Sequence, residues 1–370
     1  MTGRGQQRPR RRWPAAAAAV AGLALSVALA VVPGASAGPL QCAGLDVTIT
    51  GDGGDNVLIG TSGNDVIWGG DGKDVIKGNG GNDVICAGGG KDDVRGGAGD
   101  DNIRGEGGSD TLRGNDGRDN LYGAQQVFDG DVTGGGDDVL IGGKGPDGLY
   151  GDARSNGGSG DPKGYGEAEG DGDDILRGGR GNDGLVGDAS VSNQGTLADG
   201  DGEDELRGGG GRDFIVGDSL GANDANAAGA GEDEISGGPG RDLITGDGRT
   251  SSGEVILGAH DVIRGGSGPD QIFADGWASD GDVGGGGSDV VHGERGNDEI
   301  HGDPFSETGA AVGGNDDRLY GNEGADDLFG GIGADLLNGG PGQPDTCGGG
   351  PDGPLVVDVA KGCEIELNIP

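Results

Sequence analysis

Aromatic side chains are nearly missing from this chain: five Phe, four Tyr and three Trp in 370 residues, with one Met and three His. That scarcity, and the lack of sizeable apolar runs after the first forty residues, excludes the alternating strand-and-helix folds that house most hydrolases. Positive charge is scarce too, with 25 Lys and Arg against 65 Asp and Glu. Such a balance argues against nucleic acid and against anionic membrane surfaces as partners, and favours a polyvalent cation. No His-Glu-x-x-His motif can be drawn from His260, His292 and His301.

The one long apolar run, Ala15 to Val32, follows a basic stretch of Arg4, Arg8 and Arg10 to Arg12 and precedes Ala35-Ser36-Ala37. This is the pattern of a secretory signal peptide, residues 1–37, cut after Ala37. A membrane anchor fits less well, because the run is Ala-rich and ends at once in Pro33 and Gly34. Lipidation at Cys42 fails because Pro39, Leu40 and Gln41 precede the thiol. Cleavage removes five arginines and no acids, so 20 Lys and Arg would face 65 Asp and Glu, a formal −45. No later segment is apolar enough to cross a bilayer, so the product is expected to be secreted and extracellular. Four cysteines in an oxidising compartment read as two disulfides. Of the three connectivities, the local pairs Cys42–Cys86 and Cys347–Cys363 are expected, since no Cys-x-x-Cys spacing indicates a metal site.

Glycine is what the chain has in excess, 96 of 370 residues. Composition alone would place the chain among disordered polymers. Periodicity points the other way. From Gly51 the sequence repeats every nine residues, with Asp65, Asp74, Asp83, Asp92, Asp101, Asp110 and Asp119 at one phase and Asn56 in the first unit. An aliphatic follows each by two positions: Leu58, Ile67, Ile76, Ile85, Val94, Ile103, Leu112 and Leu121. Glycines in the first four positions of a unit allow positive φ and a tight turn. The residues after Asp read as a three-residue strand with one inward aliphatic between outward neighbours such as Lys77, Arg95 and Arg113. One aliphatic in nine cannot offset chain entropy, so a further source of folding free energy is required.

The unit resembles the Gly-Gly-x-Gly-x-Asp-x-U-x repeat of RTX proteins, the hemolysin-type calcium-binding family, over roughly residues 51–350. The resemblance implies an all-β, right-handed parallel β-roll (a β-solenoid) with two nonapeptides per coil. It also implies multiple Ca²⁺ ions between successive turns of the same edge, held by Asp carboxylates and glycine-turn carbonyls. Calcium takes about six to eight hard oxygen ligands, and turns of this composition offer little else.

Beyond Asp119 the good units come in pairs: Asp138 and Asp147, Asp174 and Asp183, Asp204 and Asp213, Asp233 and Asp242, Asp261 and Asp270, Asp289 and Asp298, then Asp317, Asp326 and a final Asp335. First members are 36, 30, 29, 28, 28 and 28 residues apart. All of these aspartates, with the seven from Asp65 to Asp119, are the expected calcium ligands. Between pairs lie polar, irregular stretches such as 151–170 and 187–200. Each is read as one turn of a coil grown into a loop, so that all loops leave one edge; loops on alternating edges are the rival arrangement. The expected organisation is therefore signal peptide 1–37, N-terminal cap 38–50, regular roll 51–122, roll with looped inserts 123–343, and a C-terminal cap 344–370. That last piece is expected to be a short hairpin of Val356, Val357 and Val359 against Ile365, Leu367 and Ile369, closed by its disulfide.

Two other motifs compete. Gly217-Asp218-Ser219-Leu220 spells the nucleophile motif of the GDSL hydrolases, and Asp289-Val290-Val291-His292 offers the Asp-x-x-His those enzymes use. Repeat spacing explains both, because Gly-Asp opens most inserts (Gly151-Asp152, Gly187-Asp188, Gly246-Asp247, Gly302-Asp303) and Asp289 lies on the repeat phase. Asp199-Gly-Asp201 resembles an EF-hand start without its flanking helices. A non-enzymatic calcium-binding scaffold or adhesin is the preferred reading and a secreted hydrolase using Ser219 the alternative; any protein or glycan partner stays unnamed.

Overall fold

In a computed structural model, residues 40–367 are described apart from 125, 128–131, 134–135, 153, 156–167, 170–171, 192–196, 222–225, 230, 252–253, 257, 343 and 351–357. The signal-peptide segment, Val356, Val357 and Ile369 thus lie outside the described residues. The described residues contain strands and no helix. Two long parallel sheets, one of fourteen strands and one of thirteen, carry alternate nonapeptides. Each coil contributes one strand to each sheet, so a strand pairs with the one a full coil later: Val75–Gly80 lies beside Asp93–Ala98 with Ile76 opposite Val94.

That register stacks like on like. The middle residue of each strand points inward, and Ile67, Ile85, Ile103 and Leu121 from one sheet face Ile76, Val94 and Leu112 from the other, all fully buried. The two files continue through Leu140, Leu149, Leu206, Ile215 and Ile272 to Leu337. The core is only two side chains wide along the whole roll.

The turns are sharper in their use of glycine than composition implies. In the regular block positive φ falls at the second and fourth turn positions, as at Gly70 and Gly72 (φ 107° and 116°), and Asn79 and Glu106 also adopt it at the second position (77° and 76°). The first position is glycine in most units for want of space, since a side-chain carbon at Gly78 would overlap Asp83 Oδ2; Ala87 and Ala274 are the exceptions, each with a buried methyl group.

All inserts leave one edge, as the spacing implied. They are far more regular than loops. Each carries two two- or three-residue strands, and these stack into two further seven-stranded parallel sheets, one running from Gln126–Val127 to Phe305–Ser306 and the other from Val132–Thr133 to Ala311–Val312. A small second core of Ala227, Val255, Ala278 and Val283 fills the space between them. The first insert sheet folds back on the outer face of the fourteen-stranded sheet. Arg154 lies 4.1 Å from the centre of the Tyr150 ring and Arg249 5.5 Å from that of Phe214, both rings belonging to the fourteen-stranded sheet; within the insert sheet Arg249 also lies 3.7 Å from the centre of a ring of Trp277. Along this outer face Phe273, His301 and Phe329 stack in sequence, 5.0 and 4.8 Å apart.

Both expected disulfides are present, Cys42–Cys86 and Cys347–Cys363, with Cα–Cα separations of 5.8 and 5.9 Å. At the N-terminal end Gln41–Cys42 and Leu45–Asp46 form an antiparallel hairpin. Among the described residues, the two strands expected to form a hairpin at the other end do not pair with each other. Val359–Lys361 pairs in parallel with Leu336–Asn338, and Ile365–Leu367 with Thr346–Gly348. The end of the chain adds one more coil, because each long sheet still offers an unpaired ladder there and parallel pairing satisfies both.

A core two side chains wide leaves no neighbour to collapse into a void. Ile103→Ala is expected to lower the stability of the calcium-saturated protein by about 2–5 kcal/mol, read from denaturant unfolding; a midpoint unchanged from wild type would contradict a continuous inner file.

Candidate metal centre

The repeat aspartates form two columns, one along each edge where the long sheets meet. On the short-turn edge stand Asp65, Asp83, Asp101, Asp119, Asp147, Asp183, Asp213, Asp242, Asp270, Asp298 and Asp326. On the edge that later carries the inserts stand Asn56, then Asp74, Asp92, Asp110, Asp138, Asp174, Asp204, Asp233, Asp261, Asp289, Asp317 and Asp335. None of these aspartates is more than 7% exposed.

One hydrogen bond builds both columns. Each Oδ1 accepts the backbone N–H of the column neighbour one coil earlier, as Asp83 Oδ1 does from Asp65 at 2.8 Å. The bond is the same whether the coil spans 18, 28, 30 or 36 residues. The second oxygen is another matter. Oδ2 of Asp83, Asp101, Asp119, Asp174, Asp204, Asp233 and Asp298 is buried and has no hydrogen-bond partner. Carbonyl oxygens converge on the same place: a methyl group at Gly151 would overlap both Asp174 Oδ2 and the Gly187 carbonyl, and one at Gly217 both Asp233 Oδ2 and the Gly246 carbonyl.

A buried carboxylate oxygen without a donor costs several kcal/mol of lost hydration unless it is protonated or meets a cation. The proton affinities reflect this. Burial pushes the carboxyl of Asp101 up to about 7, of Asp138 to about 8 and of Asp317 to about 9, with neighbouring aspartates adding to the shift and the coil-to-coil hydrogen bond opposing it.

Several acids escaped the periodicity. Asp345 and Asp358 continue the columns, accepting from Asp326 and Asp335, each at 3.0 Å. Asp335 is therefore not terminal, because Asp358 follows it. One additional residue in the turn before Asp345, and a 23-residue step to Asp358, moved both out of phase. The acids that open the inserts form a third stack: Asp152, Asp188, Asp218 and Asp247, each after a glycine, and Asp275, after Ala274, are fully buried beside the insert-edge column. Carboxylate oxygens of Asp138, Asp152 and Asp174 lie within 4.8 Å of one another. The recurring Gly-Asp was the available signal.

The hydrolase constellation is not assembled. Ser219 is fully buried and its Oγ has no hydrogen-bond partner, so no base activates it. Asp289 Oδ1 accepts from the Asp261 N–H at 2.8 Å, and the His292 ring stacks on Tyr320 at 4.6 Å.

Stacked glycine turns, two acidic columns and unpaired inward oxygens define a cation-binding parallel β-roll. The family comparison agrees: the RTX calcium-binding nonapeptide repeat matches residues 50–85, 87–121, 132–153, 170–190, 195–219, 223–248, 257–276, 283–304 and 312–343. The chain belongs to that family, whose repeats bind calcium. No curated protein matches the chain.

Two outcomes follow for the columns. Folded carboxyls held above the ordinary 3.8 bind protons more tightly than unfolded ones, so their proton-linked stability is complete below about pH 4 and is lost as pH rises through about 7 to 9. Without calcium, β-structure should therefore increase as pH falls from 8 to 4, followed by circular dichroism; an increase in the opposite direction would contradict the burial of these groups. Asp83→Ala, which also leaves the Asp65 N–H without its acceptor, should shift the calcium midpoint of folding more than Asn56→Ala at the start of its column. Equal shifts would mean that sites are not shared between coils.

Proposed function

We propose that the chain is an exported, non-enzymatic calcium-binding roll that folds as it loads Ca²⁺ and then serves as a rigid scaffold or adhesive element outside the cell. The single observation that carries this is the row of buried, unpartnered Oδ2 atoms that recurs along both columns and converges with glycine carbonyls. The repeat aspartates from Asp65 to Asp335 would supply the charged ligands and the turn carbonyls the neutral ones. Calcium fits that donor set, since it accepts a flexible shell of hard oxygens and neutralises stacked carboxylates.

Coupling to folding follows from magnitudes. A core two aliphatic files wide gives little for each coil, whereas every site at a hundredfold excess of calcium over Kd adds about 2.7 kcal/mol to the folded state alone. Export is supported by the basic-then-apolar first 37 residues and by two disulfides that close the ends of the roll. Segments 38–50 and 344–370 would then act as the caps that a stacked repeat needs.

Far-ultraviolet circular dichroism of the chain lacking residues 1–37 should be largely that of a disordered polymer in EDTA at pH 7.5, and β-rich after calcium is added. A complete β spectrum in EDTA would overturn the coupling. Activity on short acyl esters that disappears in Ser219→Ala would overturn the non-enzymatic reading.

A further inference from the structure

The acids at the insert necks are more numerous than neck closure requires. Each insert opens inside a glycine turn, and its first residue occupies the turn position that holds Gly70, Gly88 and Glu106 on the same edge of the regular block. One oxygen of the neck aspartate clamps the two ends of the insert together. The Gly231 N–H donates to Asp218 Oδ1 at 3.1 Å and the Ala259 N–H to Asp247 Oδ1 at 3.1 Å. An amide or a hydroxyl could accept that bond equally well. The other oxygen is unexplained by the clamp: Oδ2 of Asp218, Asp247 and Asp275 is fully buried, has no hydrogen-bond partner and belongs to an ionisable group.

We propose that the insert edge carries its own row of divalent-cation sites, in which a neck aspartate sits between two successive repeat aspartates, Asp152 between Asp138 and Asp174 in the most compact case and Asp218 in the equivalent register between Asp204 and Asp233. The proposal rests on the reading that repeat aspartates bind calcium and adds a class of site to it. Asp233 Oδ2 is itself buried and unpartnered, so this coil leaves two such carboxylate oxygens on the insert edge, those of Asp218 and Asp233, against one on the short-turn edge, that of Asp213. The compact grouping of the Asp138, Asp152 and Asp174 carboxylates, within 4.8 Å, shows the same arrangement earlier in the series. Calcium is the ion such a site takes, because the donors are all oxygen and more charged ligands raise affinity for a hard cation. Insert-edge sites should therefore fill at lower free calcium than the short-turn sites. Ala124, buried at the neck of the first insert, marks a place where the row lacks its acid.

The test is calcium bound per chain against free calcium, by equilibrium dialysis and elemental analysis, on the protein lacking residues 1–37. Asp218→Asn keeps an acceptor for the Gly231 N–H and removes only the charge. It should weaken one of the tightest sites roughly tenfold or more while the dichroism in saturating calcium stays that of wild type. Asp242→Asn, a repeat ligand on the short-turn edge, serves as the control and should affect only the later-filling ions. Ala124→Asp should add a tight site, and this gain decides the matter if Asp218→Asn fails to fold. Calcium loss in Asp242→Asn together with no loss in Asp218→Asn and no gain in Ala124→Asp would reduce the neck acids to clamps and overturn the inference alone. Unchanged binding in Asp242→Asn as well would instead overturn the reading of the repeat aspartates as ligands.

Discussion

The structure depends on a carboxylate that does two things at once. One oxygen accepts a backbone N–H from the preceding coil and so sets the distance between coils; the other is left facing an enclosed space lined by oxygens. The first contact is worth about 1 kcal/mol as an ordinary buried hydrogen bond, and more because its acceptor is charged. The second is a penalty until something positive arrives. Repeated along two edges, the arrangement makes a chain whose geometry is encoded in hydrogen bonds and whose inward oxygens call for a counterion. Exposed ion pairs such as Arg95 with Asp93 and Arg264 with Glu234 add little to this, since charges in water at that exposure are largely screened.

The same spacing explains why an aliphatic core so thin suffices. Parallel pairing at a full-coil offset places Ile over Ile and Leu over Leu, so that each inward side chain touches its counterparts above and below as well as across. Glycine at the first turn position of most units brings backbone close enough for carbonyl and carboxylate to meet, and nothing larger than the buried methyl groups of Ala87 and Ala274 stands there. Where side chains do become large, at Phe273, Trp277 and Phe305, they lie outside the roll and pack the returning inserts against it.

Much of this was legible in the residues. The phase of Asp and of the aliphatic two places later is rigid, and any Asp that keeps it, from Asp65 to Asp335, lies in one of the two columns. Pairs that stay nine apart while the distance between pairs varies left two arrangements open, and the lack of a regular inward aliphatic in the inserts favoured the single edge that the sheets show. What could not be read has identifiable physical reasons. Strands of two residues, such as Ser190–Val191 and Arg249–Thr250, are too short for any period, and become strands only because six neighbours repeat them in register. A one-residue excess removed Asp345 from the phase although the turn absorbs it. The two C-terminal strands look like a hairpin because they are adjacent in sequence, yet the open ladders of the two sheets compete for them and win. The neck aspartates were visible as a recurring pair, but a recurring pair carries no burial, and burial is what makes an acid chemically demanding.

The neck clamp also separates the pitch of the roll from the content of its inserts. Since both ends of an insert are fixed at hydrogen-bond distance by the opening aspartate, added length beyond the stacked insert strands costs mainly a closure entropy, which grows with the logarithm of its length. Coils of 36 and 28 residues accordingly stack with the same repeat-to-repeat bond. Each neck closed by an aspartate is thus a grafting point at which a foreign loop could be displayed at regular intervals along the roll, each copy facing the same side, without disturbing the register of the long sheets beneath it.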